Sequence, residues 1–293
     1  MIYDIRHVTT YHYDAPVASA RCTLRLLPHV QMGQDVLDSG LDVSPPPAET
    51  AERLDYFGNR ITTVRIASTH QELRVAALSR VKIERPEPPA AALTPTWEQI
   101  SQDALSATSL DAHSPVHGLY PSRLIPIYAP ATAYAQKSFT PLRPVLEAAI
   151  DLMNRIKSDF KYDPAATAVT TPLAEAFESR GGVCQDFAHI MIAGLRGLGI
   201  PARYVSGYIR TITAPGQKRL EGADASHAWI SVWCGPQFGW LDLDPTNALQ
   251  IGDDHIVVCI GRDYADVSPI DGVILASGAQ RLTVSVDVIP VTR

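Results

Sequence analysis

The sequence predicts an α+β fold, and three observations in chain order carry that prediction. Short apolar runs with turn signals between them fill roughly the first 85 positions. Helical periodicity dominates between Pro144 and Leu198. Strand-like runs return from Ala202 onward.

In the first region the strand runs are Ile2 to Tyr13, Arg21 to Leu27, Leu41 to Val43, Ile61 to Ile66 and Leu73 to Ile83. Phe57-Gly58-Asn59 marks a turn just ahead of the alternating Ile61-Thr62-Thr63-Val64-Arg65-Ile66. Runs this short, joined by turns, predict a β-rich domain over 1–85, a sandwich or sheet rather than βαβ units. His7, His12, His29 and His70 are scattered through it and read as structural or exposed residues, not as metal ligands.

Pro86, Pro88, Pro89 and Pro95 then interrupt both regular structures, which predicts a linker. A short helix follows over Trp97 to Ala107, and Asp111 to Pro141 is rich in proline and tyrosine without a clear period. His113 and His117 have helical ligand spacing, but Pro115 between them spoils it, so a surface loop is expected. Segment 86–141 therefore reads as a Pro-rich linker and connecting segment.

From Pro144, the residues Val145, Ala149, Leu152, Met153, Ile156 and Phe160 return at helical intervals and make one apolar stripe. Thr171-Pro172 offers a cap and a first-turn proline for a second helix through Phe177, closed by Gly181-Gly182. A third helix runs from about Cys184 to Leu198 and stops at Gly199 and Pro201. Strands are expected over Ala202 to Thr213, Ser226 to Cys234, Trp240 to Asp244 and Ile256 to Ile260, and along Leu282-Val284-Val286-Val288. Residues 142–293 thus read as a second domain with its own C-terminal strands.

Composition narrows the function. In 293 residues, 25 Lys plus Arg against 31 Asp plus Glu give a net charge of −6 with no basic block, which argues against nucleic acid or an anionic membrane surface as partner. No apolar run approaches the ~18 residues of a spanning helix, and the opening Met-Ile-Tyr-Asp-Ile-Arg-His has no signal-peptide pattern, so a soluble cytoplasmic protein is expected. Cys22, Cys184, Cys234 and Cys259 make no CxxC pair, and such spread cysteines are expected to be reduced.

Cys184 sits where Gly181-Gly182-Val183 turns into a helix. A thiol there meets the positive end of the helix dipole and unpaired backbone N–H groups, which favour thiolate and serve as oxyanion donors. Position alone leaves a nucleophile and a structural cysteine equally open. His227 opens the strand Ser226-His227-Ala228-Trp229-Ile230 between two small neighbours. In Trp240-Leu241-Asp242-Leu243-Asp244-Pro245, alternation places Asp242 and Asp244 on one face, and Pro245 leaves Asp244 at the strand end. Each member alone has a bland structural reading. Together they supply nucleophile, base and orienter: imidazole takes the thiol proton, and carboxylate fixes the tautomer and stabilises imidazolium.

The segments Gly182-Val183-Cys184-Gln185-Asp186-Phe187-Ala188, Gly199-Ile200-Pro201-Ala202-Arg203-Tyr204-Val205-Ser206-Gly207-Tyr208, Ala225-Ser226-His227-Ala228-Trp229 and Gly239-Trp240-Leu241-Asp242-Leu243-Asp244-Pro245-Thr246 resemble the bacterial transglutaminase-like superfamily. Tyr3-Asp4-Ile5-Arg6-His7-Val8-Thr9-Thr10-Tyr11 and the Phe57-Gly58-Asn59 turn resemble the β-rich N-terminal domain that accompanies it. The resemblance implies a papain-like core in which Cys184 is the nucleophile, His227 the base and Asp244 the orienter, with Asp242 the lesser candidate. Arg203 and Tyr208 fall in the same pattern and read as support for the strand beside the site. Asp186 reads as a helix cap, and the resemblance places a further oxyanion donor upstream, around Tyr162. Acyl transfer from a peptide amide through a thioester is implied, on a peptide or protein substrate and without metal or organic cofactor. Hydrolysis is the favoured outcome, since no D-x-D-x-D-G calcium loop is present. The alternatives are transfer to an amine, as in a protein-glutamine transglutaminase, and a catalytically silent peptide-binding module.

Overall fold

The alternation that opens the sequence builds β1 (Ile2–Val17), whose Tyr3, Ile5, His7 and Thr9 are buried on one face. The fold comes from a computed structural model that describes residues 1–211, 222 and 225–291. After β1 come β2 (Ser19–Leu24), β3 (Gln34–Ser44), β4 (Glu49–Leu54), β5 (Arg60–Ile66) and β6 (His70–Ile83). The middle of the chain holds α1 (Trp97–Leu105), α2 (Ala129–Gln136), α3 (Val145–Asp159), β7 (Lys161–Tyr162), α4 (Leu173–Ser179), β8 (Gly181–Gly182) and α5 (Cys184–Gly197). Then follow β9 (Ala202–Ile209), β10 (Ala225–Trp233), β11 (Trp240–Asp244), β12 (Leu249–Gln250), β13 (His255–Gly261), α6 (Tyr264–Val267), β14 (Ile270–Leu275) and β15 (Gln280–Pro290).

Two four-stranded antiparallel sheets, in the orders β15-β1-β6-β3 and β14-β2-β5-β4, form a sandwich. Its core holds Val17, Leu24, Val64, Ile66, Leu73 and Val75. A five-stranded antiparallel sheet, β12-β11-β10-β9-β13, carries the helices. This is the α+β arrangement expected.

Three features depart from the sequence reading. The C-terminal strands do not belong to residues 142–293 as a unit: β15 pairs with β1 over Tyr3↔Pro290 to Tyr13↔Gln280, and β14 pairs with β2. Alternation predicts that a segment is a strand but carries no information on which distant strand completes it. Segment 86–141 is packed rather than a free linker, because Ile100, Ala104, Ala131, Tyr134 and Ala135 join the main core. Finally, β4 escaped the sequence reading because all its residues are exposed, leaving no apolar face to detect. The end of the strand predicted to reach Thr213 lies outside the described residues.

The main core is shared by both regions. Tyr3, Ile5, Val286 and Val288 of the sandwich pack in the same cluster as Leu152, Ile190, Leu195 and Ile230. A polar tie crosses the same junction: His7 Nδ1 lies 3.0 Å from the Tyr208 hydroxyl, which donates to Leu26 O at 3.3 Å. The hydroxyl thus accepts from Nδ1–H, and His7 Nε2 accepts from Thr9 Oγ1 at 2.9 Å.

Helix α5 is buried from Gln185 to Arg196. Its far end is pinned by Arg196, whose guanidinium donates to the carbonyls of Gly118, Ala202 and Arg262 and to Ser122 Oγ. The end of α4 differs from the glycine cap expected. The left-handed residue is Arg180 (φ 52°), and its guanidinium lies over the rings of Phe177 and Phe160 at 4.4 and 4.6 Å.

Candidate active site

Cys184 is the first residue of α5 and, of the four cysteines, the one that is not buried. The turn that presents it is held by Asp186, whose Oδ2 accepts from Val183 N at 2.8 Å and from Thr167 Oγ1 at 2.6 Å. That carboxylate explains Gly182, since a Cβ there would stand 2.5 Å from Asp186 Oδ2. Asp186 is the cap the sequence suggested. Thr167, which shares its charge, was not foreseen, because it lies in an irregular segment before α4.

His227 stands on β10 opposite Gly207 of β9. A Cβ on Gly207 would meet Ile256 O at 2.1 Å and the Trp229 ring at 2.4 Å, so the glycine is what lets the strands and this tryptophan close up beside the histidine. His227 Nε2 lies 2.8 Å from Asp244 Oδ2. Cys184 and His227 open onto one cleft, and Cys184 is near enough to help raise the pKa of the imidazole. With Nε2 committed to Asp244, Nδ1 is the ring nitrogen left for sulfur.

Asp244 is fully buried. Pro245 turns the chain so that Thr246 N and Asn247 N donate to Oδ1 at 2.9 and 3.2 Å. Oδ2 accepts from His227, from Asn247 Nδ2 at 2.7 Å and from His255 Nε2 at 3.3 Å. Asp242, the lesser candidate, instead accepts from Trp229 Nε1 at 3.3 Å. Asn247 and His255 were missed. Asn247 follows closely on Asp244, in Asp-Pro-Thr-Asn, and was legible as part of the turn. His255 arrives on β13 and carries no local signal.

The electrostatics follow from this wiring. Burial by itself strips charge from an imidazole; at His227, hydrogen bonds to Asp244 and Cys184 and their charges outweigh it and push the pKa up to about 10. Burial also opposes the charged form of Asp244, yet the bonds from His227 and His255, the charge of His227 and the bond from Asn247 hold its carboxyl far below the usual range. Cys22, Cys234 and Cys259 are pushed up by burial, Cys234 to about 12, so they stay thiols. Tyr162, on the segment where a further oxyanion donor was sought, is half exposed and packs its ring edge against Phe187. Burial raises its hydroxyl pKa, and the nearby Cys184 adds to the rise.

His227, Asp244 and His255 also bring potential ligand atoms within 4.8 Å of one another. Asp244 Oδ2 is the common acceptor of both imidazoles, at 2.8 and 3.3 Å. The remaining sequence candidates take supporting places: Arg203 lies 4.3 Å over the Trp240 ring, and Tyr208 makes the tie to His7.

Comparison with known proteins gives a consistent picture. Residues 3–82 match the model for the bacterial transglutaminase-like N-terminal region, and residues 132–245 match the transglutaminase-like superfamily. An uncharacterised protein of Mycobacterium bovis is 37% identical over 301 residues, covering 98% of this chain and 92% of its own. A protein-glutamine gamma-glutamyltransferase of Pseudomonas aeruginosa is 37% identical over 105 residues, 33% of this chain and 15% of that protein. The crystal structure of "a Putative Cysteine Protease from Cytophaga hutchinsonii" superposes with a TM-score of 0.74 at 21% identity, covering 100% of this chain and 92% of that one, a likeness of fold. These likenesses support a cysteine enzyme. With both regions matched and a relative aligned along nearly the whole length, the chain belongs to the transglutaminase-like superfamily.

Proposed function

We propose that the protein is a cysteine amidase acting on peptide or isopeptide bonds, with Cys184 as nucleophile, His227 as general acid and base, and Asp244 as orienter. The observation that carries the reading is the His227–Asp244 contact of 2.8 Å behind a cleft that Cys184 and His227 share. Asp244 holds the charged imidazole, and the imidazolium in turn favours thiolate on Cys184. The thiolate attacks the amide carbonyl carbon, and the oxyanion that forms meets backbone N–H groups at the start of α5. As the C–N bond breaks, the proton on His227 passes to the departing nitrogen, leaving a thioester on Cys184. The now neutral His227 takes a proton from water, whose oxygen attacks the thioester and releases acid and thiolate.

The reading with an amine in place of water draws support from the name of the Pseudomonas relative. Incubation with a casein digest, with and without a labelled primary amine, separates the two. Hydrolysis predicts free carboxylate in both reactions and little label; label incorporated in preference to hydrolysis assigns the amine. In Cys184→Ala we expect loss of turnover on the order of 10⁴-fold or more. Retention of amide turnover in that variant rejects the nucleophile.

A further inference from the structure

The cleft beside Cys184 is closed on its far side by the β sandwich. β1 and β15 pair so that Ile5 stands opposite Val288, His7 opposite Val286, Thr9 opposite Val284 and Tyr11 opposite Leu282. These residues lie on one face of a single ribbon. At the Ile5 end the face is buried in the core shared with α5, and beyond Tyr11 it passes under the second sheet, where Tyr13 and Val17 are buried. Between those two buried stretches it emerges next to the nucleophile, and there Val284 and Leu282 are each 50% exposed.

The opening has a volume of about 260 Å³. That is just below the ~300–1,000 Å³ of small-molecule pockets, room for one or two residues of an extended chain. Ile270 and Tyr264 complete its apolar side, and no Asp, Glu, Lys or Arg lines it among the described residues. On the wall itself, among the described residues, a charged side chain sheds its water against the apolar surface of Leu282, Val284 and Ile270, whereas an aliphatic or aromatic one covers that surface.

We propose that the sandwich forms a specificity wall: Tyr11, Leu282, Val284 and Ile270 receive a large apolar or aromatic side chain flanking the amide that Cys184 attacks, so the acyl donor is a peptide with such a residue beside the reacting position. The proposal rests on the reading of Cys184 as nucleophile. It also gives the β domain a direct role in choosing substrate.

The test uses the full chain with Cys184→Ala and fluorescein-labelled Gly/Ser hexapeptides with a central glutamine. A single residue next to the glutamine, before or after it, is Phe, Asp or Lys, and Kd is read by fluorescence anisotropy. The Phe peptide is expected to bind roughly tenfold or more tightly than the Asp and Lys peptides. Adding Leu282→Lys shifts preference toward the Asp peptide, and Leu282→Asp shifts it toward the Lys peptide. A gained preference cannot come from a misfolded chain. Equal Kd for the three peptides, or ratios unmoved in both Leu282 variants, overturns the wall. Turnover of the same peptides by the unaltered protein reads the enzyme separately: selective binding with no cleavage or amine transfer leaves the wall and removes the amidase, and turnover blind to the flanking residue does the reverse.

Discussion

His7 in the sandwich and His227 in the helix-bearing region are buried to a similar degree, on strands of adjoining sheets, and their pKa values are driven in opposite directions. Burial pulls His7 down to about 4, and its ring partners, the hydroxyls of Tyr208 and Thr9, are neutral. The same burial acts on His227, where Asp244 and Cys184 reverse the outcome and raise it to about 10. The contrast shows that desolvation sets the cost of a charge and the neighbours decide whether it is met. His189 repeats the first case: burial lowers it to about 4, and its Nε2 accepts from Tyr264 N at 3.2 Å. One carboxylate, itself held by five donors, is what separates His227 from His7 and His189, and of the two imidazoles on that carboxylate it is His227 that shares the cleft with Cys184.

The sharpest way to break the contrast is Asp244→Asn, which keeps the shape and removes the charge. His227 then falls toward the state of His7, and amide turnover is expected to drop on the order of 10⁴-fold. Turnover within tenfold of the unaltered protein, measured on the same peptide amide, would show that the carboxylate is not what activates the pair.

Next in size is the reactivity of Cys184 toward iodoacetamide near neutral pH, followed site by site by mass spectrometry. His227 stays protonated up to about 10, and its charge beside Cys184 should make that thiol react faster than Cys22, Cys234 and Cys259. In His227→Ala the Cys184 rate should fall about tenfold or more. A Cys184 rate unmoved in that variant removes the proposed ion pair.

The smallest effect is on stability, and there the two histidines pull in opposite directions. A raised folded pKa means that the His227 contribution is fully present below 6.5 and is lost as pH rises through about 10. A lowered one means that His7 withdraws stability as pH falls from 6.5 toward 4, since only the unfolded chain takes up its proton. His7→Phe should therefore flatten the acid slope of unfolding free energy by at most about 1.4 kcal/mol per pH unit, read from denaturant melts at a series of pH values. An unchanged slope would mean that this imidazole is charged in the folded protein.

How much of this was legible beforehand divides along sequence distance. The turn before Cys184, the small residues beside His227 and the proline after Asp244 are local, so each declared its residue without knowledge of the fold. His255 reaches Asp244 from a different strand, and Leu282 reaches the cleft by pairing with Tyr11 across most of the chain. No periodicity encodes such partners. The four-residue spacing of His113 and His117 shows the opposite hazard: the local cue for a ligand pair was present, Pro115 argued against it, and His117 lies instead beside Tyr56, its Nε2 3.0 Å from the phenol oxygen. The alternation in Leu282-Val284-Val286-Val288 identified a strand correctly, while its allegiance to the sandwich depended on eleven cross-strand partners in β1.

Arg196 anchors the helix that presents Cys184. Its planar fork grips carbonyl oxygens from three connections that are far apart along the chain, those at Gly118, Ala202 and Arg262. Those parts of the chain are thereby fastened to one another and to the end of α5 remote from Cys184. The sulfur stands at one tip of a rod whose other tip is common property of three distant stretches. A lysine, without the planar fork, would not reproduce that set of bonds.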